Sequence, residues 1–160
     1  MNKNAIHRVL DQYGLQCDEG PRIGGEFGPY EQSSRLNLYR KRIQQLIDTN
    51  HAYRCFCSES RLALLRKDAL RQNTIPKYDR RCRDIDIQTS QRRAESGESF
   101  VVRFKTDKQD VTFKDEVYGI VTQSLDESDM VLIKSDGFPT YHFANVVDDE
   151  AMKISHVNIA

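Results

Sequence analysis

The chain has 160 residues, 38% hydrophobic and 30% charged, and its 24 Lys/Arg balance 24 Asp/Glu. That length suits one domain, or a small domain with part of a neighbour. No apolar run approaches the roughly 20 residues of a membrane-spanning helix, and neither a secretory h-region nor an Arg/Ser-rich transit segment follows Met1-Asn2-Lys3-Asn4, so no membrane partner is expected.

Ile6, Val9, Leu10 and Tyr13 share one helical face and predict a helix over residues 4–13, with Gly14 placed for a left-handed cap. A glycine-rich loop opens with Cys17-Asp18-Glu19-Gly20-Pro21 and runs to Pro29. A second helix should start at a cap supplied by Ser33 or Ser34 and bury Leu36, Tyr39, Ile43, Leu46 and Ile47 before ending near Asn50. Residues 52–56 read as a short strand. Ser58 should cap a third helix carrying Leu62, Leu65 and Ala69 on one side, with Pro76 beyond its end. A basic loop spans residues 78–84, and a short helix over residues 87–95 closes on Gly97. The pattern then turns to β, with Phe100, Val102 and Phe104 alternating, and strands expected over 117–123 and 130–134. Asp136-Gly137 marks a turn leading into residues 140–143.

Charge is unevenly spread. From Arg54 to Arg93 there are eleven Lys/Arg against five Asp/Glu, and from Asp107 to Asp129 seven Asp/Glu against two Lys. Such asymmetry fits a basic face that meets a phosphate backbone, although solvated faces give the same pattern. The four cysteines are Cys17, Cys55, Cys57 and Cys82; the chain is intracellular in character, so no disulfide framework is expected, and Cys55-Phe56-Cys57 looks like a metal or redox feature. Gly24-Gly25-Glu26-Phe27-Gly28 matches neither a dinucleotide fingerprint nor a Walker loop.

Three longer strings say more. Gly28-Pro29-Tyr30-Glu31-Gln32-Ser33-Ser34-Arg35-Leu36 resembles the G-P-Y-x-Q-S-x-R-L segment of bacterial and organellar glutamate–tRNA ligases. Tyr53-Arg54-Cys55-Phe56-Cys57 with Tyr78-Asp79-Arg80-Arg81-Cys82-Arg83 resembles their Y-x-C-F-C and Y-D-x-R-C-R pair. The run from Ser135 to Asp149 is similar to their S-D-G-x-P-T-Y-x-x-A-x-V-V-D-D segment. The strings occur in order, and the resemblance covers residues 6–157.

The resemblance implies an α/β fold: a partial Rossmann-like nucleotide-binding fold interrupted by an inserted α+β acceptor-stem-binding domain. Residues 1–51 would be the later part of the first Rossmann-like half, 52–136 the insertion and 137–160 the start of the second half. It implies an ATP-dependent enzyme using Mg that forms glutamyl-adenylate and transfers glutamate to tRNA(Glu). The family's H-I-G-H-type and K-M-S-K-S-type motifs are not in these 160 residues, so the chain alone is expected to be inactive. Tyr141 and Asn145 occupy positions that would contact glutamate, and they share a face if the segment is helical. Ile159 stands where a substrate-binding Arg belongs, and an alkyl group cannot hold a carboxylate.

Some members hold zinc through C-x-C and a later C-x-H or C-x-Y. Here Cys55, Cys57 and Cys82 fit, and Asp84 takes the fourth position, against inert buried thiols as the alternative. Arg80, Arg81 and Arg83, then Arg103 and Lys105, are the candidates for contact with tRNA phosphates. A non-catalytic acceptor-stem-binding module, or part of a tRNA-modifying glutamyl transferase paralogue, are the competing readings. A monomer is the expected state. The mitochondrial matrix is the expected compartment, ahead of a bacterial cytoplasm.

Overall fold

The computed structural model describes residues 3–125 and 128–157. In chain order it contains helix α1 (Lys3–Gln12), a single 3-10 turn (Gln32–Ser34), α2 (Leu36–Asp48), strand β1 (Ala52–Cys55), α3 (Glu59–Arg71) and α4 (Ile87–Glu95). Strands β2 (Val101–Phe104), β3 (Gln109–Asp115), β4 (Gly119–Leu125) and β5 (Val131–Ile133) follow, then α5 (Tyr141–Ala151). No helix among the described residues is long and apolar enough to cross a membrane.

Two sheets form. One has the order β1-β2-β5, antiparallel throughout, and the other is the β3-β4 hairpin alone. The period-two alternation of β1 divides two packing regions. Ala52 joins the main core with Tyr39, Ile43 and Ile47 of α2, Val102, Leu132, Ile133, and Phe143, Ala144 and Val147 of α5. Tyr53 and Cys55 belong instead to a smaller cluster with Cys82, flanked by Cys57, Tyr78, Ile85 and Val101.

Several expectations hold. Gly14 and Gly97 are left-handed after their helices. Ser58 caps α3 by accepting from the Arg61 backbone N–H, and α4 has the predicted bounds, capped by Asp86.

Others are corrected. Neither Ser33 nor Ser34 caps α2, because both lie in the 3-10 turn and the residue at the cap is Arg35, whose side chain is engaged elsewhere. The predicted strand over 117–123 is displaced to Gly119–Leu125, since residues 116–118 form the turn, and its partner β3 had no counterpart in the sequence reading. The apolar stripe of α1 stays uncovered, with Ile6, Val9 and Tyr13 exposed. The residues of α3 are at most half-buried.

The described strands pair only antiparallel. They all lie within residues 52–136, while α2 and α5 come from the flanking segments and pack on each other and on that sheet.

Candidate functional site

The start of α5 is set by a tight turn. Gly137 is left-handed at φ +79°, its N–H bonds to the Lys134 carbonyl at 2.9 Å, and the Phe138 N–H bonds to the Asp136 carboxylate at 2.9 Å. That backbone N–H, with Lys134 beside it, holds the Asp136 carboxyl below the usual carboxylate range. Thr140 then ties the chain to β5, its N–H to the Leu132 carbonyl at 2.8 Å and its hydroxyl to the Val131 carbonyl at 3.0 Å. The helix begins at Tyr141, so Tyr141 and Asn145 sit one turn apart on the same side. Phe143, Ala144 and Val147 take the buried side. Tyr141 is 69% exposed, with the His142 ring edge-on at 5.9 Å, and is therefore not a core aromatic. Asn145 is half-buried.

Below this helix lies a cluster that sequence reading missed. Arg35 is buried, and its Nε donates to Asp148 at 2.7 Å while a terminal nitrogen donates to the carbonyls of Phe27 and Pro29. The Tyr39 hydroxyl lies 2.8 Å and 2.9 Å from the two Asp148 oxygens. Burial, then the Asp148 carboxylate, pushes the Tyr39 phenol far above its ordinary value. Arg35 and Asp148 both fall inside the quoted strings, which was the available signal. The loop before them is compact, and Gly25 meets the Tyr30 hydroxyl and Glu19 so closely that a Cβ there has no room.

The basic loop is tied down by one acid. Asp129 is 0% exposed, and its carboxylate accepts from the Tyr53 hydroxyl at 2.7 Å, Arg83 at 2.8 Å and the Thr106 N–H at 3.1 Å, with Arg80 at 3.3 Å. Arg83 also pairs with Asp107 at 2.6 Å. Arg103, buried, donates to the Asp129 carbonyl at 2.7 Å, and its guanidinium lies 3.9 Å from the Tyr78 ring centroid. Lys105 is half-buried and donates to Asn50 at 2.6 Å. Lys105 lies just beyond the end of β2, with its Nζ 6.0 Å from the Tyr53 ring centroid. Arg81 is exposed. Four of the five tRNA-phosphate candidates thus carry polar partners within the fold.

The sulfur atoms of Cys55, Cys57 and Cys82 lie within 4.8 Å of one another. Asp84 does not join them. The turn closed by the Arg83 N–H on the Arg80 carbonyl buries Cys82 and leaves Asp84 exposed. The oxygen that does approach is the Tyr78 hydroxyl, 3.1 Å from Cys55 Sγ, 3.5 Å from Cys57 Sγ and 3.2 Å from the Cys82 nitrogen. Burial and these sulfurs push the Tyr78 phenol upward. Burial alone would raise the Cys55 thiol, but Tyr78, the Cys57 backbone and Arg103 outweigh it and lower it. Cys57 is raised by burial, against Tyr78, with Cys55 and Cys82 adding to the rise. Zinc bonded at about 2.3 Å to each sulfur sets sulfurs about 3.8 Å apart, so three thiols and a phenolic oxygen at these separations fit the metal. Ile159 lies outside the described residues.

An α/β chain whose three signature strings converge on one helix start and one sulfur cluster has the marks of an aminoacyl-tRNA synthetase segment. The sequence model of the tRNA synthetases class I (E and Q), catalytic domain, matches residues 2–159, and the chain belongs to that family. Among curated relatives it is 45% identical over 154 residues to the glutamate–tRNA ligase of Clostridium tetani and 46% identical over 155 residues to that of Rhizobium etli. These alignments take in 95% and 94% of the chain but 32% of each relative, so the chain spans about a third of their length. A crystal structure of a glutamate tRNA ligase from Elizabethkingia meningosepticum, in complex with its amino acid, superposes with a TM-score of 0.85 at 31% identity. That superposition covers 96% of this chain and 32% of that one.

Proposed function

We propose that this chain supplies the amino-acid pocket and the acceptor-end surface of a glutamate–tRNA ligase. The whole enzyme would use ATP and Mg to make glutamyl-adenylate and pass the glutamyl group to tRNA(Glu). The observation that carries this reading is the start of α5, where Tyr141 and Asn145 stand on one accessible side above a buried Arg35–Asp148 pair. A phenol and an amide so placed can hydrogen-bond a polar amino acid and leave an ill-matched one with unpaired groups, which is how such a pocket discriminates. The division at residues 1–51, 52–136 and 137–160 is supported by the contact of α2 with α5. An insertion must leave and rejoin its host at one place, and Arg35 and Asp148 meet across 113 residues of sequence.

The test is a chimera in which residues 6–157 of this chain replace the matching segment of the Clostridium tetani enzyme, so that the host's own residue stands at the position of Ile159. Glutamate-dependent ATP–pyrophosphate exchange should persist in the chimera and stay at background for the 160 residues alone. Tyr141→Phe and Asn145→Ala should each raise KM for glutamate about tenfold, the effect of one lost polar contact of about 1.4 kcal/mol, with KM for ATP unchanged. Two variants indistinguishable from the parent chimera would remove Tyr141 and Asn145 from the pocket.

We further infer that Cys55, Cys57 and Cys82 hold zinc, with Tyr78 rather than Asp84 completing the set. The geometry of the four atoms supports this. Bound there, zinc would fasten the loop at residues 78–82 to the end of β1. Purified protein should carry about one equivalent of zinc, Cys82→Ser should lose it, and Asp84→Ala should retain it. Retention by Cys82→Ser, or protein folded and metal-free in chelator, defeats the assignment.

A further inference from the structure

Two nucleophilic side chains meet in the smaller core cluster, where Cys57 Sγ lies 3.6 Å from Cys82 Sγ. Cys55, the third thiol there, is directed elsewhere. Its sulfur donates to the Tyr78 hydroxyl at 3.1 Å, and the residue is 1% exposed. Cys17 is exposed and lies outside the cluster.

The fold sets up this pair. Cys57 stands two residues past the end of β1 and just before Ser58, the cap of α3, so it belongs to neither element. It is half-buried, whereas Cys82 is buried at the turn closed by the Arg83 N–H on the Arg80 carbonyl. A reagent from solvent therefore meets Cys57 first, with Cys82 behind it. An accessible sulfur with a second thiol in reach is the arrangement of a redox-responsive pair. A disulfide needs sulfurs about 2.05 Å apart, so closing the pair takes a shift of about 1.6 Å. Rotation of the Cys57 side chain, outside any helix or strand, can supply it.

We propose that Cys57 and Cys82 are an oxidation site for peroxide that closes reversibly to a disulfide. The Cys57 sulfur attacks one peroxide oxygen and the O–O bond breaks. Cys57 becomes a sulfenic acid, and the other oxygen leaves as water with the thiol proton. The Cys82 sulfur then attacks the Cys57 sulfur, the S–S bond forms and the S–O bond breaks. The hydroxyl leaves as a second water with the Cys82 proton, so two electrons have passed from the sulfurs to the peroxide. The disulfide removes two of the three thiols assigned to zinc, and disulfide and zinc exclude each other. That exclusion rests on the zinc reading above, whereas the chemistry of the pair does not.

The experiment uses the full chain carrying Cys17→Ser, which removes the exposed thiol, in chelator and after loading with zinc. Hydrogen peroxide is the probe. The readouts are mass spectrometry of alkylated proteolytic peptides and zinc release to a coloured chelator. In chelator the chain should lose two hydrogens and yield a peptide pair linked through Cys57 and Cys82, reversed by dithiothreitol. Cys55→Ser should still form the link; if that variant does not fold, the linkage mapped in the parent chain decides. Saturating zinc should slow the reaction several-fold, with about one zinc freed for each disulfide formed. Cys57 and Cys82 both unmodified after peroxide, Cys57 carried to a sulfinic acid without a link, or a link through Cys55 overturns the site. Zinc that stays on the disulfide-bonded chain overturns the exclusion. A chain that takes up no zinc yet forms the link removes the zinc reading and upholds the oxidation site.

Discussion

Asp129 shows how one residue can change the meaning of several others. In sequence, Arg80, Arg81 and Arg83 form a basic run of the kind that meets phosphates, and Arg103 adds to it. In the fold a single enclosed carboxylate takes Arg83 and Arg80, while its own main-chain carbonyl takes Arg103. Nothing local to Ser128-Asp129-Met130 announces this, because the partners lie 46, 49 and 26 residues away. Of the original run, Arg81 alone keeps the character the sequence suggested. Removing one member of a buried charged set leaves the others uncompensated, which costs about 3–5 kcal/mol. Asp129→Asn should therefore lower unfolding free energy by about that amount in urea titration. A loss below about 1 kcal/mol, the scale of a surface pair, would mean that water rather than Asp129 satisfies these arginines.

At the scale of elements, legibility followed punctuation. The bounds of α4 could be read because Asp86 caps its start and Gly97 closes its end, and α3 because Ser58 precedes an uninterrupted run of helix formers. Strand β3 escaped notice because Gln109–Asp115 is charged and little buried, so no core face imposes a pattern on it. Its register is set instead by the turn, where Asp115 accepts from the Val117 and Tyr118 N–H groups and Gly119 is left-handed. Each strand of the hairpin pairs only with the other, and its tip carries Tyr118 at 83% exposure. A lone two-stranded sheet is marginal in water. Hydrogen exchange should accordingly show amides of β3 and β4 opening well before those of β1, β2 and β5. Equal protection in both sheets would show that the hairpin unfolds only with the core.

The molecule as a whole is closed by contacts between its flanks. Tyr141 and Asn145 could be named as candidates because they sit in a motif, but the contact that positions their helix joins residues 35 and 148, and no periodicity links such distant positions. Two phenols are buried against carboxylates, one at this contact and one inside residues 52–136. Tyr39 is held against Asp148 and Tyr53 against Asp129, and in each case burial first, then the facing carboxylate, raises the phenol far above its ordinary value. A group whose folded value is raised contributes stability that is complete below its unfolded value, near 10 for tyrosine, and lost as pH climbs toward the folded value. Above about pH 10 the unfolded chain releases two protons that the folded chain keeps, so stability must fall with pH. In acid these groups contribute no pH dependence, because both phenols are protonated in either state. Urea unfolding at pH 8, 10 and 11 should show little change over the first step and a steep drop over the second. Tyr39→Phe with Tyr53→Phe should be less stable at pH 8, through the lost hydrogen bonds to Asp148 and Asp129, yet flatter between pH 10 and 11. A double variant that loses stability over that interval as steeply as the wild type would mean the alkaline transition belongs to other groups, and that neither phenol is shielded from water as its geometry requires.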